Sequence, residues 1–224
     1  MTKNRLEQET FRGMSRALQR TVDAMDAASN FQILIVPGLY GAGPDHWQTH
    51  WENALGAQRV EQDDWAAPRG DAWAVRLDEA VRRSERRVVF VGHSLGSTLV
   101  SLWAAKQDTA KVAGAFLVAP PDMDQNTLDP AFDIAGFDPL ILDRLPFPSV
   151  VVASRDDGYV KFPRAQWLAA AWGSRFIDAG CCGHIGSDAG MGAWPAGFEW
   201  FKAFAASLPA AERDAAEGVA RLPV

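Results

Sequence analysis

The chain has 224 residues, 48% of them hydrophobic, and a formal net charge of −6, which suits one sizeable core and, with no clustered basic face, excludes a nucleic-acid partner. Its two cysteines, Cys181 and Cys182, are neighbours, so no disulfide framework is expected and a reducing compartment is. The opening Met1-Thr2-Lys3-Asn4-Arg5 begins no apolar signal core, and no apolar run approaches the ~20 residues of a membrane span, so no membrane partner is expected and a cytoplasmic location is.

Residues 1–30 read as an N-terminal helical extension. Phe11, Met14, Leu18, Val22 and Met25 make an apolar stripe, and Arg12, Arg16 and Arg20 line another face at i, i+4 spacing. Such a helix is expected to pack on its own chain or on a second copy, as a homo-oligomer contact. From Phe31 to Leu208 apolar runs alternate with helix-periodic segments, the pattern of an α/β domain with a mostly parallel sheet and helices on both faces. Ile33–Val36, Val88–Val91, Ala115–Val118 and Val150–Ala153 are apolar without alternation, as strands covered on both faces are. Arg59–Glu61 and Arg175–Asp178 are shorter and more polar, and are expected as outer strands on opposite sides.

Between the strands, Trp73, Leu77, Ala80 and Val81 fall on one helical face, as do Ala165, Leu168, Ala169 and Trp172; Trp194, Phe198, Phe201, Ala205 and Leu208 repeat the pattern near the end. These stripes read as core packing against the sheet. Residues 121–147, rich in Pro, Asp and Gly, form a long connection too short for a lid domain, hence a minimal cap. Residues 209–224 are expected to be a flexible tail.

The chemistry concentrates at Gly92-His93-Ser94-Leu95-Gly96, which follows a buried strand and precedes a helix whose face carries Leu95, Leu99, Leu102 and Trp103. Gly-x-Ser-x-Gly in that setting matches the nucleophile elbow of an α/β-hydrolase, where a strained turn lifts the serine hydroxyl above the sheet edge. Ser94 is then the nucleophile and needs a base, and the base needs an acid that fixes its tautomer. His184, in the Gly-rich loop after the strand ending near Asp178, stands where the base belongs. His93 lies inside the elbow and reads as structural. His46 and His50, four apart on an expected helix, would share one face like half a zinc site, but Trp47 replaces the glutamate of the metalloprotease form and no third ligand is in sight. No metal or other cofactor is expected.

The acid is one of two adjacent carboxylates, Asp156 and Asp157, in the turn after Val150–Ala153. Backbone N–H groups must hold the oxyanion. Leu95, the residue after the nucleophile, supplies one, and Leu39 in the glycine-rich loop Pro37-Gly38-Leu39-Tyr40-Gly41-Ala42-Gly43 supplies the second. That loop lacks the Lys-Ser/Thr ending of a P-loop. Cys181 and Cys182 are expected to pack beneath the loop of His184 rather than act as nucleophiles.

Together these segments resemble the serine hydrolase family that includes the retinoblastoma-binding protein 9 and the bacterial YdeN-like hydrolases. The resemblance rests on Val36-Pro37-Gly38-Leu39-Tyr40-Gly41-Ala42-Gly43-Pro44-Asp45-His46-Trp47-Gln48, on the elbow, on Ser154-Arg155-Asp156-Asp157-Gly158-Tyr159-Val160 and on Gly183-His184-Ile185. It implies Ser94 as nucleophile, Asp157 as acid, His184 as base and no cofactor, and it makes His46 and Trp47 family features beside the first loop rather than metal ligands. Asp157 also stands three residues before Val160, matching the acid-x-x-Val form of this loop in hydrolases. Gly158 replaces the proline that many relatives carry after the acid, and residues 1–30 have no counterpart in the family pattern. The resulting expectation is a hydrolase of small esters, thioesters or amides acting through an acyl-serine. The rival is a protein-binding module that keeps the fold with little turnover.

Overall fold

The computed structural model describes residues 30–124 and 131–209. The expected N-terminal helix and nearly all of the expected tail lie outside the described residues. In chain order the elements are β1 (Gln32–Val36), α1 (Trp47–Leu55), β2 (Gln58–Arg59), α2 (Gly70–Arg83), β3 (Val88–His93), α3 (Leu95–Ala104), β4 (Val112–Val118), β5 (Ser149–Ala153), α4 (Phe162–Trp172), β6 (Arg175–Asp178) and α5 (Pro195–Ser207), with a 3-10 turn at Ser187–Ala189 before α5.

The six strands form one sheet in the order β2-β1-β3-β4-β5-β6, every pairing parallel. The two polar strands take the two edges, as their composition predicts. In the central strands, successive residues feed opposite faces. Leu34, Val36, Val88, Phe90, Leu117 and Val151 pack with α2, α3 and α4 through Trp73, Leu77, Leu99, Trp103, Leu168 and Trp172. Ile33, Ile35, Val89, Val91, Phe116 and Val152 pack with α1 and α5 through Trp47, Trp51, Phe201 and Phe204. The unbroken apolar runs therefore have a simple cause: both pleat faces are covered.

Because every strand points the same way, the loops after β1, β3, β5 and β6 gather at one edge of the sheet, where open α/β sheets place their sites. Residues 131–148 cross near this edge without helix or strand. They are fastened to the start of α2 by the bond from Gly70 N–H to the Ala135 carbonyl at 2.9 Å and by the bidentate Arg69–Asp133 pair. This is the minimal cap.

Candidate active site

Ser94 sits between β3 and α3 with φ 54° and ψ −126°, a backbone conformation that L residues seldom adopt. Its amide is held by the Val118 carbonyl at 2.9 Å. The turn is sharp because glycine follows it: a Cβ on Gly96 would lie 2.0 Å from the Val36 carbonyl oxygen, so the start of α3 rests directly on the end of β1. A Cβ on Gly38 would stand 2.7 Å from the Cβ of Ser94 and 3.1 Å from the Leu95 nitrogen. The loop after β1 thus touches the elbow backbone to backbone.

His184 Nε2 lies 2.8 Å from Ser94 Oγ, and its Nδ1 lies 3.0 and 2.9 Å from the two carboxylate oxygens of Asp157. In the resting state the Ser94 hydroxyl donates to Nε2 and the Nδ1–H donates to Asp157. The Asp157 side chain is fully buried, and its Oδ1 also accepts the Tyr159 N–H at 2.8 Å. The Tyr159 ring stands edge-on to the imidazole of His184, 4.5 Å between centroids. Asp156 points away from this chain of bonds. Its Oδ1 accepts the Ser154 hydroxyl at 2.6 Å and the Gly183 N–H at 2.9 Å, and these bonds hold its carboxyl below the usual range. The two neighbouring carboxylates divide between the His184 ring and the loop that carries it.

Leu39 and Leu95 both line the cavity that opens at Ser94, and neither backbone N–H has a hydrogen-bond partner among the described residues. Free amides at the first helical turn and in the facing loop are what an oxyanion requires. The cavity measures about 420 Å³ and is lined by Leu39, Tyr40, Phe132, Ile134 and Tyr159 together with polar groups that include Ser187 and Asp188. Tyr40 is 63% exposed at the rim, with φ 62°, and meets the ring of Phe132 edge-on at 6.4 Å.

The remaining histidines differ from expectation in one respect. His46 and His50 do not share a face: α1 begins only at Trp47, His46 is its buried N-cap, and His50 is exposed. Nδ1 of His46 accepts the Gln48 N–H at 3.1 Å, which occupies one of the two atoms a metal could use. Burial, then the Arg59 charge and His184, push His46 down to about 4, so the ring is neutral at ordinary pH. Among the described residues no group of three or more His, Cys, Asp or Glu is placed to hold a metal. His93 is buried; its Nε2–H donates to the His184 carbonyl at 2.9 Å, and burial drives its pKa well below the ordinary histidine value. That is the structural role expected of it, aimed at the base loop.

The cysteines also depart from expectation. Cys182 is half-buried with its thiol on the Ala179 carbonyl at 3.1 Å, whereas Cys181 is exposed rather than packed beneath the loop. Burial and the nearby Asp156 charge push the Cys182 thiol up, away from the reactive thiolate. Sequence reasoning missed Gln48, Ser154 and Tyr159, whose contacts with the site are all made in the folded chain.

A YdeN-like hydrolase from Pectobacterium atrosepticum is 28% identical to this chain, with a TM-score of 0.73 over 84% of this chain and 97% of its own. The ydeN gene product of B. subtilis is 23% identical, with a TM-score of 0.63 over 78% and 98%. The esterase domain of a Rhodothermus marinus protein is 17% identical, with a TM-score of 0.61 over 79% and 87%. The last two share the α/β-hydrolase fold. No curated protein sequence matches the chain, and among the described residues no helix is long and apolar enough to cross a membrane. Residues 33–203, most of the sequence, match the serine hydrolase family, and with a serine, a histidine and an aspartate in bonded succession at its strand ends the chain belongs to that family.

Proposed function

We propose that the protein hydrolyses small uncharged carboxylic esters, with thioesters and small amides as related substrates, through a covalent acyl-Ser94. The observation that carries this reading is the continuous chain of bonds from Ser94 Oγ through His184 to Asp157. Ser94 Oγ attacks the substrate carbonyl carbon while its proton passes to His184 Nε2; Asp157 keeps the Nδ1–H in place and balances the imidazolium. The Leu39 and Leu95 amides take the oxyanion. As the tetrahedral species collapses, His184 returns the proton to the departing alcohol. Water, deprotonated by the same nitrogen, then releases the carboxylic acid and restores Ser94.

A volume of about 420 Å³, with Leu39, Tyr40, Phe132, Ile134 and Tyr159 facing Ser187 and Asp188 across the same cavity, suits a short acyl chain or an aryl group on the apolar side. Short p-nitrophenyl esters are therefore the first assay. Ser94→Ala is expected to remove turnover while leaving circular dichroism and thermal stability near wild type. A fluorophosphonate probe is expected to label Ser94 in the wild type only. An alanine variant with full turnover would refute the nucleophile, and an unlabelled wild-type Ser94 would favour the binding-module reading.

A further inference from the structure

None of the side chains in Gly43-Pro44-Asp45-His46-Trp47-Gln48 reacts in the steps above, yet three consecutive residues of this segment reach three separate parts of the site. The Trp47 indole N–H donates to the Ile185 carbonyl at 2.8 Å, one residue beyond the base. Gln48 Nε2 donates to the Val36 carbonyl at 3.3 Å and the Val91 carbonyl at 3.0 Å, bridging the ends of β1 and β3 just before the oxyanion loop and the elbow. The His46 ring lies 4.8 Å from His93, the side chain that holds the His184 carbonyl. All three residues are buried.

The orientation of the Gln48 amide is informative. Both of its partners are carbonyls, which accept only, so the nitrogen must face them. Its Oε1 is left buried without a partner among the described residues. The amide is therefore set by what its nitrogen ties together and not by satisfaction of its own oxygen.

We propose that the first turn of α1 sets the reacting groups relative to one another: Trp47 is a positioning residue for His184, and Gln48 is one for the pair of oxyanion amides. This rests on the acyl-transfer reading above. The base loop needs such a tie because it pairs with no strand, and Ile185 itself is held at φ 52°, where a side chain is strained. The oxyanion amides need one because they belong to different segments, and a displacement of about 1 Å between catalytic groups can cost about 10²-fold in rate.

Trp51, one turn later on α1, supplies a matched control. It is as buried as Trp47, and its indole N–H donates to the Ala193 carbonyl at 2.9 Å, in the approach to α5 and away from every reacting group. Benzothienylalanine, which replaces the indole N–H by sulfur at constant shape, is introduced at either position, and Gln48→Met is made alongside. The position-47 protein is expected to lose about 10–100-fold in kcat, with KM little changed and fluorophosphonate labelling of Ser94 slowed in step. The position-51 protein is expected to lose similar thermal stability while keeping wild-type kcat. Gln48→Met is expected to follow position 47 in kcat and labelling rate. Equal kcat losses at positions 47 and 51, or native kcat at position 47, would overturn the proposal. Wild-type Ser94 that fails to label would instead sink the acyl-transfer reading itself, and the two failures are thus told apart.

Discussion

Ser94 and His184, the proposed nucleophile and base, meet at one point but are held there by different means. Ser94 is held by backbone: every residue of β3 is buried, the Ser94 amide is bonded to β4, and Gly96 rests on the carbonyls of Val36 and Pro37. His184 lies in a loop of mostly half-exposed residues between β6 and the 3-10 turn. Four side chains from three places hold that loop: in the turn after β5 Ser154 accepts the Cys182 N–H and Asp156 the Gly183 N–H, while His93 donates to the His184 carbonyl and Trp47 to that of Ile185. A site built this way has a rigid half that tolerates no backbone change and a tethered half that should weaken in steps as ties are cut.

The largest expected effect falls on the group that joins the two halves. Asp157→Asn leaves the geometry in place, but with the amide oxygen kept by the Tyr159 N–H the new NH2 group faces Nδ1 and donates to it, so the wrong imidazole tautomer faces Ser94; in a serine protease the equivalent change costs about 10⁴ in kcat. With activated esters, which demand less of the base, a fall of about 10²–10⁴ is expected from steady-state kinetics. A larger fall for Asp156→Asn would reverse the roles of the two carboxylates. Next comes the rigid half. Gly96→Ala places a methyl 2.0 Å from the Val36 oxygen, so α3 must move off β1 and carry the Leu95 amide with it. A loss of about 10²-fold in kcat together with a lower melting temperature is expected. Native activity in this variant would show that the elbow can slide.

How much of this can be read in the sequence follows from the same contrast. The elbow is visible because its constraints are local: a buried strand, two glycines and an amphipathic helix stand side by side. The edges of the sheet are visible for a related reason, since the polar runs Arg59–Glu61 and Arg175–Asp178 fit only there and the apolar runs only inside, whereas the order of the four inner strands is not. The ties on the base loop leave no such trace. Trp47 and Ile185 are 138 residues apart and His93 and His184 are 91 apart, and a bond across that separation imposes no period or local composition. His46 and His50 mislead for the opposite reason: their spacing suggests a shared helical face, yet the helix starts one residue past His46, whose side chain turns back to cap it.

The tethered half should give way gradually. Asp156→Ala removes the acceptor for both the Ser154 hydroxyl and the Gly183 N–H, while three other ties remain. A kcat loss of up to about tenfold is expected, the scale of one hydrogen bond's net contribution, with a measurable drop in melting temperature. Asp156→Asn retains an acceptor oxygen and should recover most of both. Loss of activity as complete as that of Asp157→Asn would mean that the loop collapses when any tie is cut.

The last expected effect leaves the rate at neutral pH unchanged and falls on stability at lower pH, and it follows from the neutral histidines behind His184. His46 must be unprotonated at Nδ1 to accept the Gln48 N–H and cap α1. In the folded chain burial pushes it down to about 4 from the usual 6.5, and His93 is displaced the same way. Between those values the unfolded chain carries protons on these rings that the folded chain does not, so stability rises with pH across that window. It is fully present above about pH 6.5 and is lost as pH falls toward 4, with His46 contributing on the order of 2–4 kcal/mol. Urea unfolding between about pH 7.5 and pH 4.5 reads this loss directly. His46→Asn keeps a capping oxygen but cannot titrate, so its stability should fall less steeply over the same range, the remaining slope belonging to His93 and the carboxylates. An unchanged slope in His46→Asn would mean that the folded protein protonates His46 as readily as the unfolded chain does, and that the cap at the start of α1 does not depend on its neutral form.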